Sequence, residues 1–252
     1  MSTRDYDFQG FDRIHVGGAF EFNVTRADAF KVSITSDPLK VIEVSRDGDT
    51  LRIGIAWYTY LWWFLTGWSH PRASITLPEL RELSITGASH GETGDFSTTH
   101  DFSAELAGAS SLRLGNISAG NVDFRVQGAS NVEFKKVKGA KGCLDIQGAS
   151  RARGEFVLSG DVRLDVQGAS RVELLGSAYD AVIDIKGASQ GKLENFTVHN
   201  AKLKVTGASN AVVKADGRLD IEALGASNVC WVGNPTMGDV RSSGASHYIK
   251  RN

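Results

Sequence analysis

The tripeptide Gly-Ala-Ser occurs nine times in this chain, and its spacing constrains the fold more than any other feature. The glycines are Gly87, Gly108, Gly128, Gly148, Gly168, Gly187, Gly207, Gly225 and Gly244, separated by 21, 20, 20, 20, 19, 20, 18 and 19 residues. So steady a period marks a repeat architecture, in which each unit packs against its neighbours in turn.

The positions around each glycine say what the unit is. Four residues before it stand Leu83, Ala104, Phe124, Leu144, Leu164, Ile183, Leu203, Ile221 and Val240. Two before it stand Ile85, Leu106, Val126, Ile146, Val166, Ile185, Val205, Ala223 and Ser242, with a polar residue between in nearly every copy. That period of two is a strand with one buried side. Alternation resumes after the corner, at Leu112, Val132, Val172 and Val229, then at Leu114, Phe134, Leu174, Leu193, Val213 and Trp231. A lone apolar residue recurs nine after the glycine: Phe96, Ile117, Val137, Val157 and Phe196.

Each unit therefore has two short strands and a third short side facing one interior, with no room for a crossover helix. Leucine-rich repeats need an LxxLxLxxN pattern, and propeller blades need about forty residues. The expected fold is all-β, a right-handed parallel β-helix of about 20 residues per coil, with coils stacked at ~4.8 Å into a prism on the order of 40 Å long.

We read residues 1–252 as one β-helix domain. Residues 1–55 supply entry strands and irregular N-terminal coils, 56–74 an aromatic insertion, and 75–252 the nine repeats. "GGA" at Gly17 to Ala19 reads as an early, degenerate corner.

At a coil corner, glycine supplies backbone angles that other residues adopt only at a cost. Stacking places Ser89, Ser110, Ser130, Ser150, Ser170, Ser189, Ser209, Ser227 and Ser246 in one column, pointing inward or along the corner. A catalytic serine needs a base within hydrogen-bond reach and a third group to orient that base. No serine here is set apart from its copies, so the column is expected to be structural.

Two outward rows are expected to hold the register. Five residues after the glycine stand Glu92, Arg113, Glu133, Arg153, Glu173 and Lys192, alternating in sign as an ion-pair ladder would. Just before it, Gln127, Gln147 and Gln167 could form a stacked amide ladder.

The wider sequence excludes several classes. With 28 basic against 29 acidic side chains and a net charge of −1, no global field favours nucleic acid, which is not expected as a partner. Cys143 and Cys230 form no CxxC motif, and the six histidines show neither HxH nor HExxH spacing. Phosphate-binding glycine loops are missing as well, so no cofactor or metal is predicted. "MSTRDYDFQG" lacks the basic-then-apolar pattern of a secretory signal. The chain as it stands reads as cytoplasmic, or as exported or cell-surface if a leader has been removed.

The repeat, the opening "GFDRIHVGGAFEFNVTRADAFKVSITSD", and the lead-in "GDTLRIGI" and "ITLPELRELSITGAS" resemble the auto-transporter adhesin family known as the head GIN domain. The resemblance runs over nearly the whole chain. It implies a bacterial or archaeal β-helical domain, often exported, with no established enzymatic activity.

Two features stand outside the repeat. "AWYTYLWWFLTGW" (Ala56 to Trp68) gathers Trp57, Tyr58, Tyr60, Trp62, Trp63, Phe64 and Trp68, and the stretch from Gly54 to Pro71 has no charged residue. It is too short and broken to span a bilayer. It reads as a cap over the first coil, whose inward Gly91 and Thr93 are small, or as a self-association interface. A membrane-surface anchor and a carbohydrate platform are the alternatives.

The second feature is a column three residues before the glycine: Asp145, Asp165 and Asp184. Stacked carboxylates about 5 Å apart would suit a retaining glycosidase or an oxygen-ligand cation site. The row also holds Glu105, Arg125, Lys204, Glu222 and Arg241, so a mixed, solvated face is the simpler expectation. At the C-terminal end, Ser242 and Lys250 occupy apolar repeat positions, as an uncovered last coil requires, and Lys250 and Arg251 discourage edge pairing.

The expected function is a non-enzymatic, adhesin-like β-solenoid scaffold that binds protein, itself or a surface. The alternative is a carbohydrate-active β-helix that binds or cleaves an acidic polysaccharide.

Overall fold

The chain is a parallel β-helix, seen in a computed structural model that describes residues 2–37, 39–56 and 70–251. Five-residue strands such as Phe102–Leu106, Val122–Val126, Gly142–Ile146 and Val162–Val166 lead into the Gly-Ala-Ser corners. Longer strands leave them, such as Ser111–Ser118, Asn131–Gly139 and Arg151–Leu158, and their far halves form the third side of each coil. Equal repeat positions are partners in neighbouring coils. Leu83, Ala104, Phe124, Leu144 and Leu164 form one line, and Ile85, Leu106, Val126, Ile146 and Val166 another.

Period-two alternation sends these lines inward, where they are at most 1% exposed. Burying each large apolar side chain in this way contributes about 1.5–3 kcal/mol. Inside the prism Phe102, Phe124, Phe134 and Phe156 form a ring cluster with centroids 5.5–6.2 Å apart. Gly142 makes room for it, since a Cβ there would lie 2.6 Å from Phe156 Cε1.

The third side differs from expectation at one coil. Val137 pairs with Phe156, not Val157, and Phe156 is fully buried while Val157 turns toward the surface. The register shifts by one between Phe134 and Lys136, because the later coil is one residue shorter there.

The N-terminal coils stack out of chain order. Strand Arg13–Gly18 lies between Thr50–Ile55 and Glu82–Gly87, parallel to both. Strand Glu21–Arg26 likewise lies between Arg72–Leu77 and His90–Thr93. Strands Thr50–Ile55 and Arg72–Leu77 thus belong to the outermost coil and strands Arg13–Gly18 and Glu21–Arg26 to the second, with Gly18 in register with Gly87 at its corner. Antiparallel strands complete this end: Ile42–Asp47 on Thr50–Ile55, Lys31–Ser36 on Arg72–Leu77, and Ser2–Tyr6 on Lys31–Ser36. The space at Gly91 is filled by Phe22, whose Cζ lies 2.0 Å from where a Gly91 Cβ would stand. A coil of the solenoid therefore covers Gly91.

The other end is open. In strands Thr236–Gly244 and His247–Lys250, Ser242 and Lys250 face the uncovered side and are exposed, and Lys250 Nζ donates to Asn234 Oδ1 at 2.6 Å.

Candidate functional site

The serine column is a bonded corner. Ser150 shows the pattern: its hydroxyl donates to Gly128 O at 3.2 Å and accepts the Ser130 N–H at 3.3 Å, both in the preceding coil. Gly128 O also accepts the Ala149 N–H at 2.8 Å, whereas the Ser150 hydroxyl is the partner found for the Ser130 N–H. The same pair of bonds recurs at Ser130, Ser170, Ser189 and Ser209. Ser110 donates to Gly87 O in the same way. Serines 89 to 227 of the column are at most 2% exposed. At Gly148 φ is +82°, and a Cβ would lie 2.3 Å from Gly128 O, so both conformation and contact demand glycine.

Asp145, Asp165 and Asp184 are direct neighbours in register. Each is engaged within its own coil. Gln147 Nε2 donates to both oxygens of Asp145 at 3.0 and 3.1 Å, and Gln167 Nε2 to Asp165 Oδ1 at 2.8 Å. Lys186 Nζ lies 2.7 Å from Asp184 Oδ2. The expected glutamine ladder is therefore replaced by amide–carboxylate pairs, because a charged acceptor two residues back on the same face binds more strongly than a neighbouring amide. Among the described residues no group of three or more His, Cys, Asp or Glu could hold a metal ion.

The sign-alternating row is an ion-pair ladder at its start. Arg113 lies 3.1 Å from Glu92, and Arg153 lies 2.9 Å from Glu133. One further cluster escaped the sequence: His100 Nδ1 is 2.7 Å from Glu79 Oε1, and the Thr98 hydroxyl donates to the same oxygen. The bonds from Thr98 and then His100 hold Glu79 below the usual carboxylate range. Thr98 spends its proton on the carboxylate, so the trio fastens a loop and does not activate a nucleophile.

A broad concave feature lies on the outer face of the N-terminal coils. Two rows cross five strands there: Thr35, Arg72, Glu21, His90 and Ser111, and beside them Ser33, Ser74, Asn23, Glu92 and Arg113. Long side chains joined as Glu21–Arg72 (2.9 Å) and Glu92–Arg113 form the walls, and Ser33, Ser74 and Asn23 the low floor. The hollow holds about 690 Å³. Two acids and two bases on its lining cancel, leaving a surface of neutral hydrogen-bonding groups.

In sequence, residues 57–69 lie between strands Thr50–Ile55 and Arg72–Leu77. Every residue of the aromatic set Trp57, Tyr58, Tyr60, Trp62, Trp63, Phe64 and Trp68 lies outside the described residues. Arg72, where the chain resumes as strand, stands on the wall of the hollow.

Residues 10–136 and again 123–235 match the family described as "Putative auto-transporter adhesin, head GIN domain". No curated protein matches the chain. Among solved structures, a putative adhesin from Parabacteroides merdae has a TM-score of 0.64 at 15% identity, covering 100% of this chain and 96% of its own. A protein from Parabacteroides distasonis described as putative lipid binding has a TM-score of 0.63 at 16% identity, with coverage of 100% and 96%. A putative adhesin from Bacteroides fragilis has a TM-score of 0.54 at 18% identity, with coverage of 99% and 95%. At these identities the likeness is one of fold.

Proposed function

The chain belongs to the head GIN domain family of auto-transporter adhesins, and on that premise we propose that it is a binding scaffold whose N-terminal end makes the contact. The observation that carries this reading is the hollow crossed by two rows of polar side chains, with Arg72 on its wall, the first residue of the strand that follows the aromatic stretch in sequence. Concave surfaces with a few convergent polar groups are the default binding sites of folded proteins. Tryptophan and tyrosine dominate the energetics of contacts once desolvated. The rest of the prism serves as a rigid stalk.

The primary partner is a protein surface or a second copy of the chain, engaged by Trp57, Tyr58, Tyr60, Trp62, Trp63, Phe64 and Trp68. A membrane surface and a carbohydrate remain the alternatives, and the description of one fold relative as lipid binding motivates the first of these. Asp145, Asp165 and Asp184 have no catalytic part in this reading.

The test compares the wild type with W62S/W63S and with N23A/H90A. Light scattering after size exclusion, liposome sedimentation and a glycan array are run on each. Loss of self-association or partner binding in either variant, with the β-sheet circular dichroism unchanged, supports the reading. Binding that survives in both variants would sink it.

A further inference from the structure

The row before the ion-pair ladder carries a charge arrangement that the fold does not need. It runs His90, Ser111, Asn131, Arg151, Arg171 and Gln190 across successive coils. Arg151 and Arg171 are direct partners in register, and like charges directly opposite in a sheet are destabilising. In the adjacent row the signs alternate, and Glu133 is already engaged by Arg153 at 2.9 Å. Glu173 stands in that row opposite Arg153. Yet among the described residues no carboxylate forms an ion pair with Arg151 or Arg171.

The two guanidinium groups border a hollow of about 350 Å³ at the corner, with Ala129, Ala149 and Ala169 as its apolar wall and Arg153 at its edge. Arg171 is braced by Nη2 donating to Gln190 Oε1 at 2.6 Å, while its buried Nε has no acceptor. A held guanidinium beside an uncompensated second one, both on one hollow, calls for an oxygen anion between them. Arginine forks fit phosphate-like groups with two parallel hydrogen bonds.

We infer that Arg151 and Arg171, with Arg153 beside them, form a site for a single tetrahedral oxyanion, a phosphate or sulfate group borne by a small molecule, a sugar or a lipid head. Asn131 and Gln190 flank the pair along the row and carry no charge, so the site is a point and not a track for a polyanion. It is independent of the N-terminal hollow and of what binds there.

The full chain is titrated calorimetrically with inorganic phosphate and with sulfate, at constant ionic strength made up with chloride. Phosphatidylcholine vesicles with and without phosphatidic acid form a second arm. The wild type is expected to bind the free anions, and R151Q/R171Q to bind at least tenfold more weakly. R125Q, on the row before the corner and outside both hollows, should keep the affinity. Added capture by phosphatidic acid vesicles identifies a lipid source, and anion binding without it a soluble or sugar-borne one. R151Q removes no hydrogen bond, so it should raise the anion-free melting temperature by roughly one to a few degrees. No anion binding by the wild type, equal binding by R151Q/R171Q, or a lower melting temperature for R151Q would each overturn the assignment.

Discussion

Replacing Ser150 by alanine asks whether the corner column is held by its hydroxyls. The substitution removes one donor, to Gly128 O, and one acceptor, for the Ser130 N–H. The two losses are unequal. Gly128 O keeps the Ala149 N–H at 2.8 Å, so the acceptor stays satisfied. The Ser130 N–H is left without a partner inside a corner whose serines are 2% exposed. A buried donor stranded in this way costs about 1–3 kcal/mol, more than the 0.5–1.5 kcal/mol of an ordinary hydrogen bond. For a chain of this size that is a fall of roughly 2–12 °C in melting temperature.

Ser246 provides the control. It is only half-buried, in the last coil, and donates to Gly225 O and Ser243 O, so S246A should stay within about 0.5 kcal/mol of wild type. Urea denaturation followed by circular dichroism compares the two, and hydrogen exchange at the Ser130 amide localises the effect. S150A within 0.5 kcal/mol of wild type, or no costlier than S246A, would refute the reasoning.

Three further outcomes follow from the same geometry. G148A should cost at least about 3 kcal/mol, from a side chain at φ +82° and a Cβ 2.3 Å from Gly128 O, and urea melts that match wild type would contradict it. Asp95 and Asp101 are held below the usual carboxylate range, first by the backbone N–H groups of Asn116 and Asn121 and then by their amides. Carboxylates lowered in the folded state stabilise above the unfolded value of about 3.9 and lose that stabilisation as pH falls through the folded values. D95N/D101N should therefore show a shallower loss of melting temperature below about pH 4, and an unchanged slope counts against these bonds. Burial, then Asp123 and Asp145, pushes the Cys143 thiol up. In a C230S background it should alkylate at about pH 8 more slowly than the unfolded chain, because the thiolate is the reactive form, and equal rates would contradict it.

The coils were legible because stacking turns a linear period into a spatial column. Leu83, Ala104, Phe124, Leu144 and Leu164 share one line in the sequence and in the sheet. Where coil length changes by one residue the inference slips, and Phe156 takes the place expected for Val157. The glutamines were misread for a different reason. Stacking made Gln127, Gln147 and Gln167 neighbours, but an aspartate two residues back competes for each of the latter two amides. The N-terminal order was hidden altogether. Nothing local in "RIHVGG" says that it lies between Thr50–Ile55 and Glu82–Gly87, since that pairing spans tens of residues. The hollow was hidden with it, because its rows combine Thr35, Arg72, Glu21, His90 and Ser111 out of chain order. The alternation of "FEFNV" marked its residues as outward-facing without saying what they would face.

The corner hydroxyls all donate one way. Each serine from Ser110 to Ser246 donates to the coil before it. A coil is therefore finished only by the arrival of its successor, as the Ser130 amide waits for the Ser150 hydroxyl. Removing whole repeats from the C-terminal end would expose the same kind of open rung each time and leave every corner intact but the newly terminal one. For a chain that emerges N-terminus first, that directionality works like a ratchet, with every added turn locking the last, and it makes the length of the prism a quantity adjustable in single steps of about 4.8 Å.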